Sequence, residues 1–197
     1  MKTLQNTSKF QKIWAWVLSL GGIAGMVAMT WQASERISML KNPTVPLSCN
    51  LNPIIDCGTV LGNKLAALFG FPNAFIGMIV FAGLALSGIF MLSGTKANKA
   101  YRNIVMILST VLLGFSVWFF SVSLYIISKI CVFCLVGWVV SIPIFVYTFA
   151  NFASGSDSKS LQKAGAFFQK NHINIIVVSY VVMALMYFLK FQEYYFG

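Results

Sequence analysis

Residues 103–150 read NIVMILSTVLLGFSVWFFSVSLYIISKICVFCLVGWVVSIPIFVYTFA, and Lys129 is the one charge among them. Two apolar runs, about 103–127 and 131–150, meet at the short link Ser128-Lys129-Ile130. Each reaches the roughly 20 residues a helix needs to cross a bilayer. They read as two consecutive transmembrane helices, with Pro143 an expected kink in the second. Cys131 and Cys134, in the motif Cys-Val-Phe-Cys, stand where the second helix begins.

The same pattern extends in both directions. Residues 13–33 carry no charge and form a first span, with Trp14, Trp16 and Trp31 near its ends as an aromatic belt. Gly21, Gly22 and Gly25 in it permit close helix packing. This span is too long for a signal-peptide core and has no clear cleavage site, so it reads as a retained helix. Further spans fall at about 73–93, opened by Pro72, and at about 173–190. Of the 197 residues, 58% are hydrophobic and 9% charged, with mean hydropathy +0.81. A soluble domain carries about a quarter charged residues. The expected fold is therefore an all-α polytopic membrane protein. It divides into a core at 1–150, a polar cytoplasmic loop at 151–172, and a fifth transmembrane helix with a short outer tail at 173–197.

The net charge of +10 does not point to nucleic acid, because the basic residues are spread over short loops between spans. With the N-terminus in the cytoplasm, the inner segments hold Lys2, Lys9, Lys12, Lys96, Lys99, Arg102, Lys159, Lys163 and Lys170. The outer ones hold Arg36, Lys41, Lys64, Lys129 and Lys190. This asymmetry follows the positive-inside rule. It places the Cys-Val-Phe-Cys link at the outer face of a cell (inner) membrane. The long loop 34–72, which contains Cys49 and Cys57, lies on the same side. Within that loop, Leu61–Phe69 is expected as a short interfacial helix, with Leu61, Leu65 and Leu68 towards lipid.

Cys131 at a helix N-terminus, with Lys129 beside it, sits where a thiolate is favoured. Three residues on, Cys134 shares its helix face, so the two can form a redox-active disulfide; the alternative is a fixed disulfide or a pair of buried apolar thiols. Cys49 and Cys57 lie on a flexible loop. They read either as a shuttle between a soluble thiol donor and Cys131/Cys134, or as a static loop-closing bridge. A four-thiolate zinc site is disfavoured by the wide spacing and the apolar Val132-Phe133 filling. Electrons leaving a disulfide at a membrane surface suit a lipid-soluble quinone. Phe69, Phe71, Phe75, Phe133 and Trp138 offer aromatic faces for its ring. Asn73 offers a hydrogen bond to a carbonyl or, alternatively, a helix N-cap. A transporter is disfavoured because no charge lies inside a span. A tetraspan-like structural protein with static outer disulfides is the main competing class. His172 reads as an interfacial residue far from the sulfurs.

Three pieces together, Cys49-Asn-Leu-Asn-Pro-Ile-Ile-Asp-Cys57-Gly, Leu68-Phe-Gly-Phe-Pro-Asn73-Ala-Phe75-Ile-Gly77 and the later Cys-Val-Phe-Cys, resemble the bacterial branch of the vitamin K epoxide reductase family over about residues 13–150. The resemblance implies a four-helix core around a quinone, either menaquinone or ubiquinone, with Cys131 and Cys134 as the active-site pair and Cys134 nearest the ring. It implies that Cys49 and Cys57 form the shuttle pair, Cys57 exchanging with Cys131 and Cys49 facing the donor. It also implies that Asn73 contacts the quinone. The implied activity is quinone-dependent disulfide oxidation supporting disulfide formation in secreted proteins. With no fused thioredoxin domain before Gly197, the expected partner is a separate thioredoxin-fold oxidoreductase. Asn63 stands where many members have Ser or Thr, and Trp138 where animal relatives have Tyr. Both departures favour simple quinone reduction over epoxide reduction.

Overall fold

The computed structural model describes residues 2–43, 47–95 and 97–196, with side chains described from Lys9 onward. Pro46, Lys96 and Gly197 lie outside the described residues, as does the side chain of Lys2. The chain forms α1 (Lys2–Lys41), α2 (Cys57–Gly62), a 3-10 turn (Lys64–Ala67), α3 (Asn73–Leu92) and α4 (Lys99–Ser121). A π-helical turn (Val122–Ile127), α5 (Val132–Ser154) and α6 (Lys159–Phe196) follow. Five of these segments are long and apolar enough to cross a membrane: Lys9–Lys41, Asn73–Leu92, Lys99–Ile127, Val132–Ser154 and Lys159–Phe196. The protein is a multi-pass helical membrane bundle.

Two helices exceed their apolar stretches. At 1.5 Å per residue α1 runs about 60 Å, roughly twice the hydrocarbon thickness. Its polar end, with Glu35 and Arg36, keeps helical geometry because these residues are good helix formers. The segment 151–172, read as a loop from its polarity, is mostly helix. Its connector is about residues 155–158, and α6 begins at Lys159, with non-helical backbone at Asn171 and Phe191.

Small residues bring α1 onto α3. A Cβ on Gly22 would come within 2.5 Å of the Ala85 nitrogen, and one on Gly88 within 2.5 Å of the Ser19 nitrogen. Neither position has room for a side chain. At the end of the bundle far from the cysteines, the buried Trp14 donates through Nε1 to Thr148 Oγ1 at 3.0 Å, joining α1 to α5. Trp14 is thus a core residue and not part of a belt, whereas Trp16 and Trp31 are more than half exposed. His172 lies at that same far end, its ring 5.7 Å from Phe10 and 5.2 Å from Tyr147.

Pro143 is accommodated inside α5. A helical proline leaves the carbonyl four residues earlier without its amide donor. Here that carbonyl belongs to Val139, and the Tyr180 hydroxyl of α6 donates to it at 2.8 Å. The fifth transmembrane helix therefore satisfies a polar group that lipid could not.

Candidate active site

The site begins where α4 gives out. Its last turn loosens into the π-helical segment Val122–Ile127, and Ser128 adopts φ 54°, a left-handed conformation uncommon outside glycine. That turn ends the helix and sends Lys129–Ile130 out as a short extended piece. The loop pairs with it: Ile130 N–H donates to Ile54 O at 2.9 Å, and Asp56 N–H donates to Ile130 O at 3.0 Å. Ile55 and Ile130 thus form an isolated parallel bridge. Immediately after the bridge, each chain starts a helix led by a cysteine. Cys57 is the first residue of α2, and Cys131 is the N-cap of α5.

Asp56 caps α2, its carboxylate accepting from the Thr59 amide at 3.0 Å and the Thr59 hydroxyl at 2.6 Å. Burial works against its charge. The Thr59 hydrogen bonds and the nearby Lys129 outweigh that and hold the carboxyl below its ordinary range. The Lys129 ammonium donates to the Pro53 carbonyl. Its charge thus fastens the loop, and is not the cation beside Cys131 that the sequence suggested.

The loop is more ordered than its composition implies. Asn52 Oδ1 accepts from the Ile54 and Ile55 amides at 2.9 and 2.7 Å, Leu51 N–H donates to Ile55 O at 2.9 Å, and Asn50 Oδ1 accepts from Gly58 at 3.0 Å. Cys49 and Cys57 are joined as a disulfide, with Cα atoms 5.7 Å apart. Both are buried, Cys49 at 5% exposure. The expected interfacial helix Leu61–Phe69 is broken at Asn63, whose Oδ1 accepts from Leu65 N–H at 2.9 Å. Leu61 points into the core at 2% exposure and not towards lipid; Leu68 is exposed.

Cys131 and Cys134 are free thiols, both buried. A hydrogen bond from the Cys134 thiol to the Cys131 sulfur lowers the Cys131 pKa below the ordinary thiol range. Burial opposes this, the backbone amides of Cys134 and Phe133 add to it, and Glu35 opposes it weakly. The leading cause is thus the Cys134 hydrogen bond, whereas the sequence reading invoked the helix dipole and Lys129. One turn deeper, Cys134 Sγ accepts from Gln32 Nε2 at 3.3 Å. Because Cys49 and Cys57 are bonded to each other, the four sulfurs do not converge as a thiolate set for a metal.

Behind Cys134 lies a cavity walled by α1, α3, α4 and α5, with Met29, Gln32, Asn73, Phe115, Phe119 and Trp138 among its lining. Its void is ≈ 60 Å³ within ≈ 490 Å³ of space that includes the opening. Ordinary ligand pockets hold about 300–1,000 Å³, so a ring fits only as flexible lining side chains such as Met29 part. In chemistry the lining suits a flat apolar ring with polar edges. Its walls are aromatic and aliphatic, and the two amide side chains Gln32 and Asn73 border it. Gln32 Oε1 is buried and has no hydrogen-bond partner among the described residues, a condition costing roughly 1–3 kcal/mol unless a ligand or water relieves it.

Asn73 does not cap α3. Its Nδ2 donates to Leu65 O at 2.7 Å and its Oδ1 accepts from Leu68 N–H at 3.0 Å, which pins the 3-10 turn over the cavity. One amide hydrogen remains for a ligand. Trp138 packs edge-on against Phe120 at 4.8 Å. Phe69, Phe75 and Phe133 are not among the lining residues. Phe69 is exposed beside Phe71, and Phe133 stacks on Trp31. Phe115 and Phe119, stacked at 6.1 Å, take the aromatic role instead. Sequence reading missed them, and Gln32 as well. The usable signal for Gln32 was a polar residue at the end of an uncharged span.

The curated proteins compared with this chain include no match. A sequence model of the vitamin K epoxide reductase family, by contrast, matches residues 15–149, the stretch that runs from the start of the first span past both cysteine pairs and the cavity. Its members are membrane oxidoreductases of thiols and disulfides, associated with quinones and thioredoxin-like partners, and this chain belongs to that family.

Proposed function

We propose that the protein oxidises a separate thioredoxin-fold protein outside the cell membrane and delivers the electrons to a quinone, supporting disulfide formation in secreted proteins. The N-terminus would lie in the cytoplasm and the four cysteines at the outer face, as the distribution of basic residues favours. The observation that carries this reading is the pairing of Ile55 with Ile130, which sets two cysteine-led helix starts side by side above the cavity.

In this reading the donor dithiol reduces the Cys49–Cys57 disulfide. Cys57 then attacks Cys131 of an oxidised Cys131–Cys134 pair. Cys49 resolves the mixed bond, restoring the loop disulfide and leaving Cys131 and Cys134 as thiols. Each exchange moves two electrons and two protons without a metal. Gln32, Asn73, Phe115, Phe119 and Trp138 would hold a quinone, which would supply a two-electron, two-proton acceptor for the Cys131 and Cys134 thiols. The protein's part is to hold the Cys134 sulfur at the cavity, through Gln32, and to exclude water with Phe115, Phe119 and Trp138. Asn73 supplies the polar edge, its spare N–H suited to a ring carbonyl.

The test is quinone reduction in proteoliposomes, with a reduced thioredoxin-fold donor and ubiquinone-1 or a menaquinone analogue. Wild type is expected to turn over, and Cys131→Ala and Cys134→Ala to be inactive. Absence of turnover by wild type with any thiol donor would favour static structural disulfides.

A further inference from the structure

Gln32 has two halves, and the relay described above uses only its N–H. Its Nε2 donates to Cys134 Sγ at 3.3 Å, across 102 positions of sequence. Its Oε1 is buried without a partner among the described residues, and the residue is 6% exposed and lines the cavity behind Cys134. A quinone has only acceptors at its edges, and a carbonyl oxygen gains nothing from another acceptor. A hydroquinone has hydroxyl donors. The unpartnered Oε1 is therefore matched to the reduced ring and not to the oxidised one.

We propose that Gln32 is the positioning residue of the quinone site: its N–H holds the Cys134 sulfur at the cavity, and its carbonyl oxygen accepts the hydroxyl of the reduced ring. This rests on the quinone-reducing reading above. Gln32 takes no electrons itself. The reaction it assists converts two thiols and a quinone into a disulfide and a hydroquinone, and Gln32 gains a hydrogen-bond partner only on the product side. Interactions that strengthen as the reaction proceeds raise turnover and leave ground-state binding nearly unchanged.

The test separates the two halves with Gln32→Met, which keeps the shape and removes both polar atoms, and Gln32→Glu, which keeps an acceptor and removes the N–H. Binding is measured by anaerobic titration calorimetry with ubiquinone-1 and ubiquinol-1. The background is Cys131→Ser, where no Cys131–Cys134 disulfide forms and no turnover occurs. Gln32→Met is expected to weaken ubiquinol-1 roughly 5- to 10-fold, the effect of one hydrogen bond, and to change ubiquinone-1 little. Gln32→Glu is expected to restore ubiquinol-1 binding. In the chain with all four cysteines, both variants should lower kcat about tenfold or more with KM for quinone nearly unchanged. Unchanged ubiquinol-1 affinity and kcat in Gln32→Met would overturn the proposal. Equal weakening of both ring forms, together with loss of the Cys49–Cys57 disulfide on alkylation analysis, would mean a purely structural role and also overturn it. If the Cys131→Ser protein with Gln32 intact binds neither ring form, the quinone reading itself fails, and that outcome is visible without any Gln32 variant.

Discussion

The two cysteine pairs are buried in one apolar cluster but ride on different backbone, a loop with a six-residue helix against a long transmembrane helix. Cys131 and Cys134 ride the first turn of a helix wedged between α1 and α4, and their positions follow from side-chain packing around a cavity. Cys49 lies on irregular chain and Cys57 opens the six-residue α2; both share an apolar cluster with Cys131 and Cys134, and the chain around them is tied by a few backbone and Asn side-chain hydrogen bonds and one two-residue bridge to Lys129–Ile130. Packing of that kind opens only with the fold, whereas a handful of hydrogen bonds can open locally. The proposed relay would need such an asymmetry: the pair meeting a quinone would stay fixed, and the pair meeting a thiol donor would have to open, because Cys49 is buried.

The sharpest way to break the comparison is to bypass the loop. If the loop pair is only a shuttle, Cys49→Ala and Cys57→Ala should abolish oxidation of the thioredoxin-fold donor. They should still permit oxidation of a small dithiol such as dithiothreitol, measured as quinone reduction. Cys131→Ala and Cys134→Ala should abolish both. Equal loss of small-dithiol oxidation in all four variants would remove the distinction between the pairs.

A smaller effect tests how the loop is fastened. Asp56→Ala removes the cap of α2, a loss of about 1 kcal/mol for such caps, and should speed reduction of the Cys49–Cys57 disulfide by a water-soluble phosphine. Asp56 has its folded-state carboxyl pKa lowered from 3.8. Its contribution is therefore present above pH 3.8 and fades as pH falls through the lower folded value. The wild-type loop should become more reducible only below that point, and Asp56→Ala should show no such step. A step at the same pH in the variant would assign the fastening elsewhere.

The smallest expected effect lies away from the sulfurs. Tyr180→Phe leaves the Val139 carbonyl freed by Pro143 without its donor and should lower thermal stability in detergent by about 1 kcal/mol. Both half-reactions should be unaffected. A selective loss of quinone reduction would instead tie the fifth transmembrane helix to the catalytic pair.

The two regions also differ in how well they could be read in advance. Five spans and the gathering of four cysteines at one end were legible, because long uncharged runs have few alternatives in lipid. The near-absent link at 128–130 was legible for the same reason. What hydropathy does not register is helix that continues in polar sequence. The extension of α1 to Lys41 and the helix through 159–172 escaped it. Nor does composition tell a core tryptophan from a belt tryptophan, as Trp14 shows, or a cavity phenylalanine from an exposed one in a chain with 18 of them. Phe115 and Phe119 were chosen over Phe69, Phe75 and Phe133 by the packing of α4. The partners of Gln32 and Lys129 lie 102 and 76 positions away, so only the folded chain reveals them.

The most direct test of the relay asks which loop sulfur reaches the helix pair. The double variant Cys49→Ser/Cys134→Ser leaves Cys57 and Cys131 as the two thiols, and Cys57→Ser/Cys134→Ser leaves Cys49 and Cys131. After mild oxidation in membranes, alkylation and mass spectrometry report the linkage formed in each. The paired helix starts predict a Cys57–Cys131 disulfide in the first variant and little or no Cys49–Cys131 disulfide in the second. Failure of Cys57 and Cys131 to couple, or preferential coupling of Cys49, would contradict the account.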